Sequence, residues 1–398
     1  MTNQGIAELG AQYLMPTYAP PPVAFVRGEG AMLYDADGNE YLDFLAGIAV
    51  SGVGYAHPRL VRAICEQAGR IMHTSNLFLI EPQVRLAQRL AELSFADRAF
   101  VCNSGAEANE AAIKLARKWA GRHLAPGQRS IITALKSFHG RTLTTVTATG
   151  QEKYHKPFAP LPPGFSYVPF GDLAALEAAA DDTVCAVMLE PIQGEGGINV
   201  PPDEYLPGVR RLCDERGILL ILDEVQTGLG RTGTWFGYEH FGIAPDIMTL
   251  AKSLGGGFPI GACLAAEDVA MAFEPGDHAS TFGGNHLACA AAVETLAIIE
   301  DEGLIDNARA MGDLLTRRFS DMARQSDRVD HIRGKGLLLG VKLGGEFARS
   351  VVSGCMERGL VINALGPGVL RLAPPLTITA EQCERAVGII VEALTEAD

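Results

Sequence analysis

No stretch of this sequence approaches the length of an apolar bilayer span, so no membrane-spanning helix is expected. The first residues, Met1-Thr-Asn-Gln-Gly-Ile-Ala-Glu8, lack a basic run followed by an apolar one, and a cytoplasmic location is expected. The eight cysteines are scattered, with no C-x-x-C and no close pair. Several lie inside apolar runs, as Cys185 does in Val184-Cys-Ala-Val-Met-Leu189, which reads as reduced core thiols and not as a disulfide framework. Nor does any His/Cys cluster have ligand spacing, so no metal site is expected. Positive charge is in deficit: 33 Lys and Arg against 47 Asp and Glu leave a formal net charge of −14. That argues against nucleic-acid or anionic-membrane partners, and any acidic substrate must be captured by local cations. Internal repeats and low-complexity tracts are also missing.

What is present is an ordinary globular composition, 47% hydrophobic and 20% charged, over 398 residues, enough for two or three domains. Residues 1–60 read as an arm and a small antiparallel unit. Pro16 to Pro22 is proline-rich, and Ala36-Asp-Gly-Asn39 between two apolar segments is a hairpin signal. Residues 61–300 alternate helical patterns with strand-like runs at 99–102, 130–134, 184–190, 218–223, 246–250 and 260–265, the signature of an α/β unit with a mostly parallel sheet. After a long helical stretch from about Asn285 to Glu302, residues 301–398 read as a smaller α+β domain that closes over the large one.

Two of the apolar runs end in chemistry. Gly217-Ile-Leu-Leu-Ile-Leu222 leads into Asp223-Glu-Val-Gln226, and Asp246-Ile-Met-Thr-Leu-Ala251 leads into Lys252, with Gly255-Gly-Gly257 close behind. In open parallel sheets, ligands gather just beyond the carboxyl ends of the strands. A buried carboxylate needs a cationic partner to stay ionised, and a desolvated lysine becomes a nucleophilic amine. Pyridoxal 5'-phosphate asks for both, with a pyridinium nitrogen for the acid and an aldehyde for the amine. A third segment, Val101-Cys-Asn-Ser-Gly-Ala-Glu-Ala-Asn109, runs from a strand into a helical pattern. Ser104 is a good N-cap, Gly105 admits close approach, and the free N–H groups there suit a phosphate. Gly228-Leu-Gly230-Arg-Thr-Gly233 matches the dinucleotide fingerprint G-x-G-x-x-G but opens no apolar helical face. A nicotinamide-dependent dehydrogenase is therefore the weaker reading.

The segments Leu222-Asp-Glu-Val-Gln-Thr-Gly-Leu-Gly-Arg-Thr-Gly233, Pro245-Asp-Ile247 and Ala251-Lys-Ser-Leu-Gly-Gly-Gly-Phe-Pro259 resemble the class III (ω-amino) aminotransferases, and the likeness spans nearly the whole chain in family order. The resemblance implies the fold of the type I pyridoxal-phosphate transferases, aspartate-aminotransferase-like, with a mostly parallel seven-stranded sheet. It also implies roles. Lys252 would hold the cofactor and shuttle the proton, Asp223 would pair with the pyridinium N–H, and Gln226 would reach the ring's phenolic oxygen. Val225 and Phe138 would press on the two ring faces, while Ser104, Gly105 and Ala106 cradle the phosphate. Thr281, in Ser280-Thr-Phe-Gly-Gly-Asn285, would complete the phosphate site of the other subunit of a homodimer.

Substrate choice falls to arginines, whose planar forks bind carboxylates. Arg141 in Ser137-Phe-His-Gly-Arg141 and Arg371 in Val369-Leu-Arg371-Leu372 both stand in mostly apolar settings, where an unpaired guanidinium needs an acidic partner or a substrate. By resemblance, Arg141 would hold a substrate carboxylate, and Glu195 in Gln193-Gly-Glu-Gly-Gly197 would mask Arg371 for an ω-amine and release it for glutamate. Pro16-Thr-Tyr-Ala-Pro20, His73-Thr-Ser-Asn76 and Asn363-Ala-Leu-Gly-Pro367 resemble the branch of the family that acts on N2-acetylornithine with 2-oxoglutarate as acceptor. Leu365 and the changes at Ala106 and Phe282 depart slightly from that pattern. Tyr18 is a candidate contact for the substrate's α-substituent, with a simply packed tyrosine as the alternative. Ile48 stands where ornithine-specific relatives tend to carry tyrosine, which lowers the ornithine reading but leaves 4-aminobutyrate and succinylornithine as alternative donors.

Overall fold

The computed structural model describes residues 1–397. Its centre is a seven-stranded sheet in the order Arg98–Cys102, Gly261–Ala265, Ile247–Leu250, Leu219–Asp223, Val184–Leu189, Ser130–Ala134, Phe165–Val168. All neighbours pair in parallel except Gly261–Ala265, which runs antiparallel to both strands beside it. The mostly parallel sheet expected from the sequence is therefore present, with strand limits moved by a residue or so. The edge strand Phe165–Val168 is an addition to that expectation: its residues are only partly buried up to Val168, so it carries no continuous apolar run.

The central strands form because both of their faces are covered. Every residue of Val184–Leu189, Leu219–Asp223 and Ile247–Leu250 is buried. Successive side chains alternate between faces. Leu219 and Ile221 join the cluster built against the alanine-rich helix Gly105–His123, and Leu220 and Leu222 join the larger cluster on the opposite face. Burying each such side chain contributes about 1.5–3 kcal/mol.

Two smaller antiparallel-type sheets flank this layer. The expected hairpin forms from Met32–Asp35 and Glu40–Asp43. Phe25–Glu29 joins it on one side, and Leu360–Val361 pairs in parallel with Glu40–Asp43 on the other, so N- and C-terminal segments share a sheet. The start of the chain is a helix, Asn3–Tyr13, where the sequence suggests only an arm. Its anchor is tertiary: Asn3 Nδ2 donates to Asp35 Oδ2 at 2.9 Å, and Ala24 N donates to Asn3 Oδ1 at 2.9 Å. The second sheet, Val329–Lys335, Leu338–Leu343, Val369–Leu372 and Asn363–Ala364, is antiparallel throughout.

The consequence for function is geometric. Five parallel strands end at Cys102, Ala134, Leu189, Asp223 and Leu250 along one edge of the main sheet. The C-terminal sheet reaches that edge. Arg333 donates to Gly197 O at 2.7 and 3.0 Å, Ile198 packs with Leu338, and Arg231 donates to Leu337 O at 3.0 Å. The Gly228–Gly233 segment is a series of turns, and the next regular element is only the 3-10 turn Gly237–Phe241. The helix that a dinucleotide fold requires there is absent from the structure. Among the described residues no helix is long and apolar enough to cross a membrane.

Candidate active site

A cavity of about 430 Å³ opens at this edge, walled by the loops that leave the five strand ends. Ser104, Gly105 and Ala106 enter from the first loop, Phe138 and Arg141 from the second, and Glu195 from the third. Asp223, Val225 and Gln226 follow the fourth strand, and Lys252 follows the fifth. Ten of the residues singled out in the sequence thus line one space.

Asp223, the last residue of its strand, is buried and fully engaged. His139 Nδ1 and Asn109 Nδ2 each lie 2.8 Å from its Oδ2, and Val225 N donates to Oδ1 at 3.0 Å. Asn109 is fixed in turn by Thr249 Oγ1 at 2.7 Å and by donation to His139 O at 2.7 Å. Burial alone would lower the pKa of His139, but the hydrogen bond to Asp223 and that carboxylate's charge lift it above the ordinary histidine value. A carboxylate held by these three donors can present its charge to a cation in the cavity. Sequence reasoning misses both His139 and Asn109. The available signal was Asn109 itself, a polar residue on the buried, alanine-lined face of the Gly105–His123 helix.

Lys252 begins the 3-10 turn Lys252–Gly255 with φ 41°, a left-handed conformation that costs a non-glycine residue on the order of 1–3 kcal/mol. Desolvation lowers its pKa to about 8, aided by the charge of Arg371 and opposed by Glu195, Asp223 and Glu190. This is a strained lysine with weakened proton affinity, suited to nucleophilic and proton-transfer chemistry.

The anion cradle forms as its residue types suggest. Ser104 Oγ accepts from Glu107 N at 3.2 Å at the start of the helix, and Glu107 Oε2 accepts from Asn103 N at 2.9 Å. A Cβ on Gly105 would stand 2.9 Å from Val225 Cγ1, so only glycine lets the helix start and the strand end approach this closely. The Gly105 and Ala106 N–H groups remain available to an anion at the mouth.

The two arginines differ. Arg371 is 1% exposed and forms an ion pair with Glu195, while its Nε donates to Asn363 Oδ1 at 3.0 Å. The charges of Arg371 and Lys252 outweigh burial and hold the Glu195 carboxyl below the ordinary glutamate value. Gln226 joins them: its Nε2 lies 3.4 Å from Glu195 Oε1, and its Oε1 lies 3.5 Å from the Arg371 guanidinium. Arg141 departs from the apolar setting expected for it. It is exposed at the cavity mouth, with its guanidinium 3.9 Å from the Tyr154 ring centroid and 5.4 Å from that of Phe138. Thr142 and Leu143 beside it are exposed too, so water satisfies the charge and no acidic partner is required.

Four anticipated residues do not line the cavity of this chain: Arg371, which meets it only through its partner Glu195, and Thr281, Tyr18 and Ile48. Thr281 lies exposed in the loop after Ser280, and Tyr18 is 88% exposed. Ile48 sits in a left-handed turn in which Ala46, Gly47, Ile48 and Ala49 all have φ between 49° and 66°, and its neighbour Val50 reaches the cavity instead. Buried Asp43 holds that turn by accepting from Leu45 N at 2.7 Å and from Tyr55 Oη at 2.6 Å.

Residues 13–394 match the family model for class-III aminotransferases. The chain is 52% identical over 385 residues to the acetylornithine aminotransferase of Caldanaerobacter subterraneus subsp. tengcongensis, covering 97% of this chain and 98% of that one. With the acetylornithine aminotransferase of Gloeobacter violaceus the identity is 53% over 381 residues, 95% of each chain. Among solved structures, the ornithine aminotransferase of Toxoplasma gondii ME49 superposes with a TM-score of 0.96 at 38% identity, covering 99% of this chain and 95% of that one. The acetylornithine aminotransferase of Elizabethkingia anophelis gives a TM-score of 0.89 at 34% identity over the full length of both chains.

Proposed function

This chain belongs to the class-III aminotransferases, and on that premise we propose that it moves the δ-amino group of N2-acetyl-L-ornithine to 2-oxoglutarate. The products are N-acetyl-L-glutamate 5-semialdehyde and L-glutamate, a step of arginine biosynthesis. The cofactor is pyridoxal 5'-phosphate, and the residues fit it: a desolvated lysine, a doubly supported buried carboxylate and a glycine-start helix surround one cavity. When bound, it supplies an electron sink that stabilises negative charge on the substrate carbon losing a proton.

The chain's own residues do the rest. Lys252 Nζ would hold the cofactor through its aldehyde and would move the proton at the substrate's δ-carbon. Asp223, its carboxylate fixed by His139 and Asn109, would keep the ring nitrogen protonated. Val225 and Phe138 would confine the ring, Gln226 would orient it, and Ser104, Gly105 and Ala106 would take the phosphate, all six lining the cavity. Arg141 receives the donor's α-carboxylate. The Glu195–Arg371 pair presents a neutral surface to the donor and opens for the second carboxylate of glutamate.

We read residues 1–60 and 301–398 as parts of a small domain around the large domain 61–300, in a cytoplasmic homodimer. Support for the dimer is the exposed apolar run with Leu77 at 86%, Phe78 at 71% and Leu79 at 94%, together with Phe282 at 61%. Thr281 of the partner subunit would then complete the phosphate site. Ornithine transamination is the second reading, favoured by the likeness to the Toxoplasma enzyme. Ile48, which offers no hydroxyl, and the roughly 50% identity to acetylornithine enzymes favour the first.

The observation that carries the proposal is Lys252 and Asp223 at neighbouring strand ends beside the Glu195–Arg371 pair. The test is a single-turnover absorbance scan of the holoenzyme with N2-acetylornithine, ornithine, 4-aminobutyrate and N2-succinylornithine, each without an oxo acid. Rapid loss of the bound-cofactor band with acetylornithine is expected. A faster response to another amine would replace the donor, and no visible band after adding the cofactor would overturn the reading.

A further inference from the structure

The loop that carries Arg141 and the loop that carries Glu195 are joined along a seam of buried polar groups at the floor of the cavity. At its centre is Glu190, 6% exposed, directly after the Val184–Leu189 strand. One carboxylate oxygen accepts from Phe138 N at 3.1 Å and the other from Gly194 N at 3.1 Å, so a single side chain clasps both loops. Gln193, 1% exposed, repeats the device: its Nε2 donates to Leu135 O at 2.9 Å, and its Oε1 accepts from Asn199 Nδ2 at 2.9 Å. The contact is tight, since a Cβ on Gly196 would stand 2.5 Å from Lys136 O. On its far side the same loop meets the C-terminal sheet through Arg333 to Gly197 O, Ile198 against Leu338, and Glu195 to Arg371.

The 190–199 segment is therefore a spacer, with the Arg141 loop welded to one side and the C-terminal sheet that carries Arg371 to the other. We propose that Glu190 and Gln193 are positioning residues that set the separation of the two arginine subsites, and hence the length of dicarboxylic amino acid that the enzyme accepts. This rests on the reading that Arg141 and Arg371 each take one carboxylate. A substrate with two carboxylates must satisfy both guanidinium forks at once, so its reaction depends on their spacing. An acylated ω-amine that uses Arg141 alone does not.

The test compares wild-type holoenzyme with Glu190→Gln and Gln193→Met in single-turnover reactions with L-glutamate, L-aspartate, L-2-aminoadipate and N2-acetylornithine. Gln at 190 keeps an acceptor for one loop and turns an NH2 toward the other N–H; Met at 193 keeps the volume and removes both bonds. In each variant the preference for glutamate over aspartate or 2-aminoadipate should fall about tenfold; in Gln193→Met acetylornithine should change less than about threefold, whereas Glu190→Gln, which also removes a charge felt by Lys252, is read only as the ratio among the three diacids. Hydrogen exchange should rise together in residues 135–141 and 193–199, a readout independent of turnover. Parallel losses for every amine, or unchanged length preference despite loosened loops, would overturn the proposal. Arg371→Lys separates the two layers: if it leaves glutamate as good as before, the subsite reading fails, and the spacing proposal with it.

Discussion

Lys252 should be a markedly better nucleophile at neutral pH than an ordinary lysine. Burial beside Arg371 brings its pKa to about 8, where a solvated lysine stands at 10.5. A lowered lysine pKa means that the neutral, reactive amine dominates above about pH 8 and the ammonium dominates below it. At pH 7 the neutral fraction is then roughly 9%, against roughly 0.03% for the solvated group, a gain of roughly 300-fold. The assay is stopped-flow capture of pyridoxal 5'-phosphate by cofactor-free protein, followed by visible absorbance across about pH 6 to 10. The rate should climb about tenfold per pH unit and bend to a plateau near pH 8. Glu195→Gln should move the bend to lower pH, because Glu195 favours the ammonium form and its loss also leaves the Arg371 charge uncompensated. A rate that climbs without a bend to pH 10 would refute the desolvation argument, and a bend that ignores Glu195→Gln would refute the electrostatic part of it.

Lys252→Ala should abolish turnover and the visible band of covalently held cofactor; a variant that keeps both would remove the lysine from its role. Glu195→Ala should slow the acetylornithine half-reaction about tenfold more than the glutamate half-reaction, since Arg371 then stays unmasked, and equal losses in paired single-turnover runs would count against the switch. Ser104→Ala should lower stability by about 1 kcal/mol in urea unfolding and weaken cofactor binding, because the Glu107 N–H loses its cap. Leu222→Ala, in the fully buried strand behind Asp223, should cost about 2–5 kcal/mol by the same measurement. A loss well under 1 kcal/mol would show that the strand is not packed as described.

The parallel strands are legible because burial on both faces leaves a continuous apolar run, and the residue at the carboxyl end of such a run falls at the ligand edge. That is why Asp223 and Lys252 can be singled out by position alone. The elements that escape are held by contacts distant in sequence. Phe165–Val168 is an edge strand, and Asn3–Tyr13 depends on Asp35, more than thirty positions away. His139 and Asn109 escape for the same reason: their partner Asp223 is 84 and 114 positions along the chain. Arg141 falls at the cavity as expected but in an exposed setting, because an apolar neighbour such as Leu143 can itself be exposed at a cavity mouth.

The left-handed turn at residues 46–49 is the least legible feature, and it bears most on the site. Nothing in Ala-Gly-Ile-Ala advertises positive φ beyond the single glycine, and each alanine or isoleucine held there costs roughly 1–2 kcal/mol. A chain accepts such a loss only where surrounding bonds over-determine the conformation. Here they do so from two sides: Asp43 takes the Leu45 and Ala46 N–H groups, and Ser253 Oγ donates to Ala49 O at 2.9 Å. Ser253 directly follows Lys252, which lines the cavity and also has positive φ. The two strained segments are thus tied by one hydroxyl, so the turn that places Val50 in the cavity wall braces the backbone of the reactive lysine. Local propensity fails as a guide at this point because tertiary bonds, not the residues' own preferences, determine the backbone.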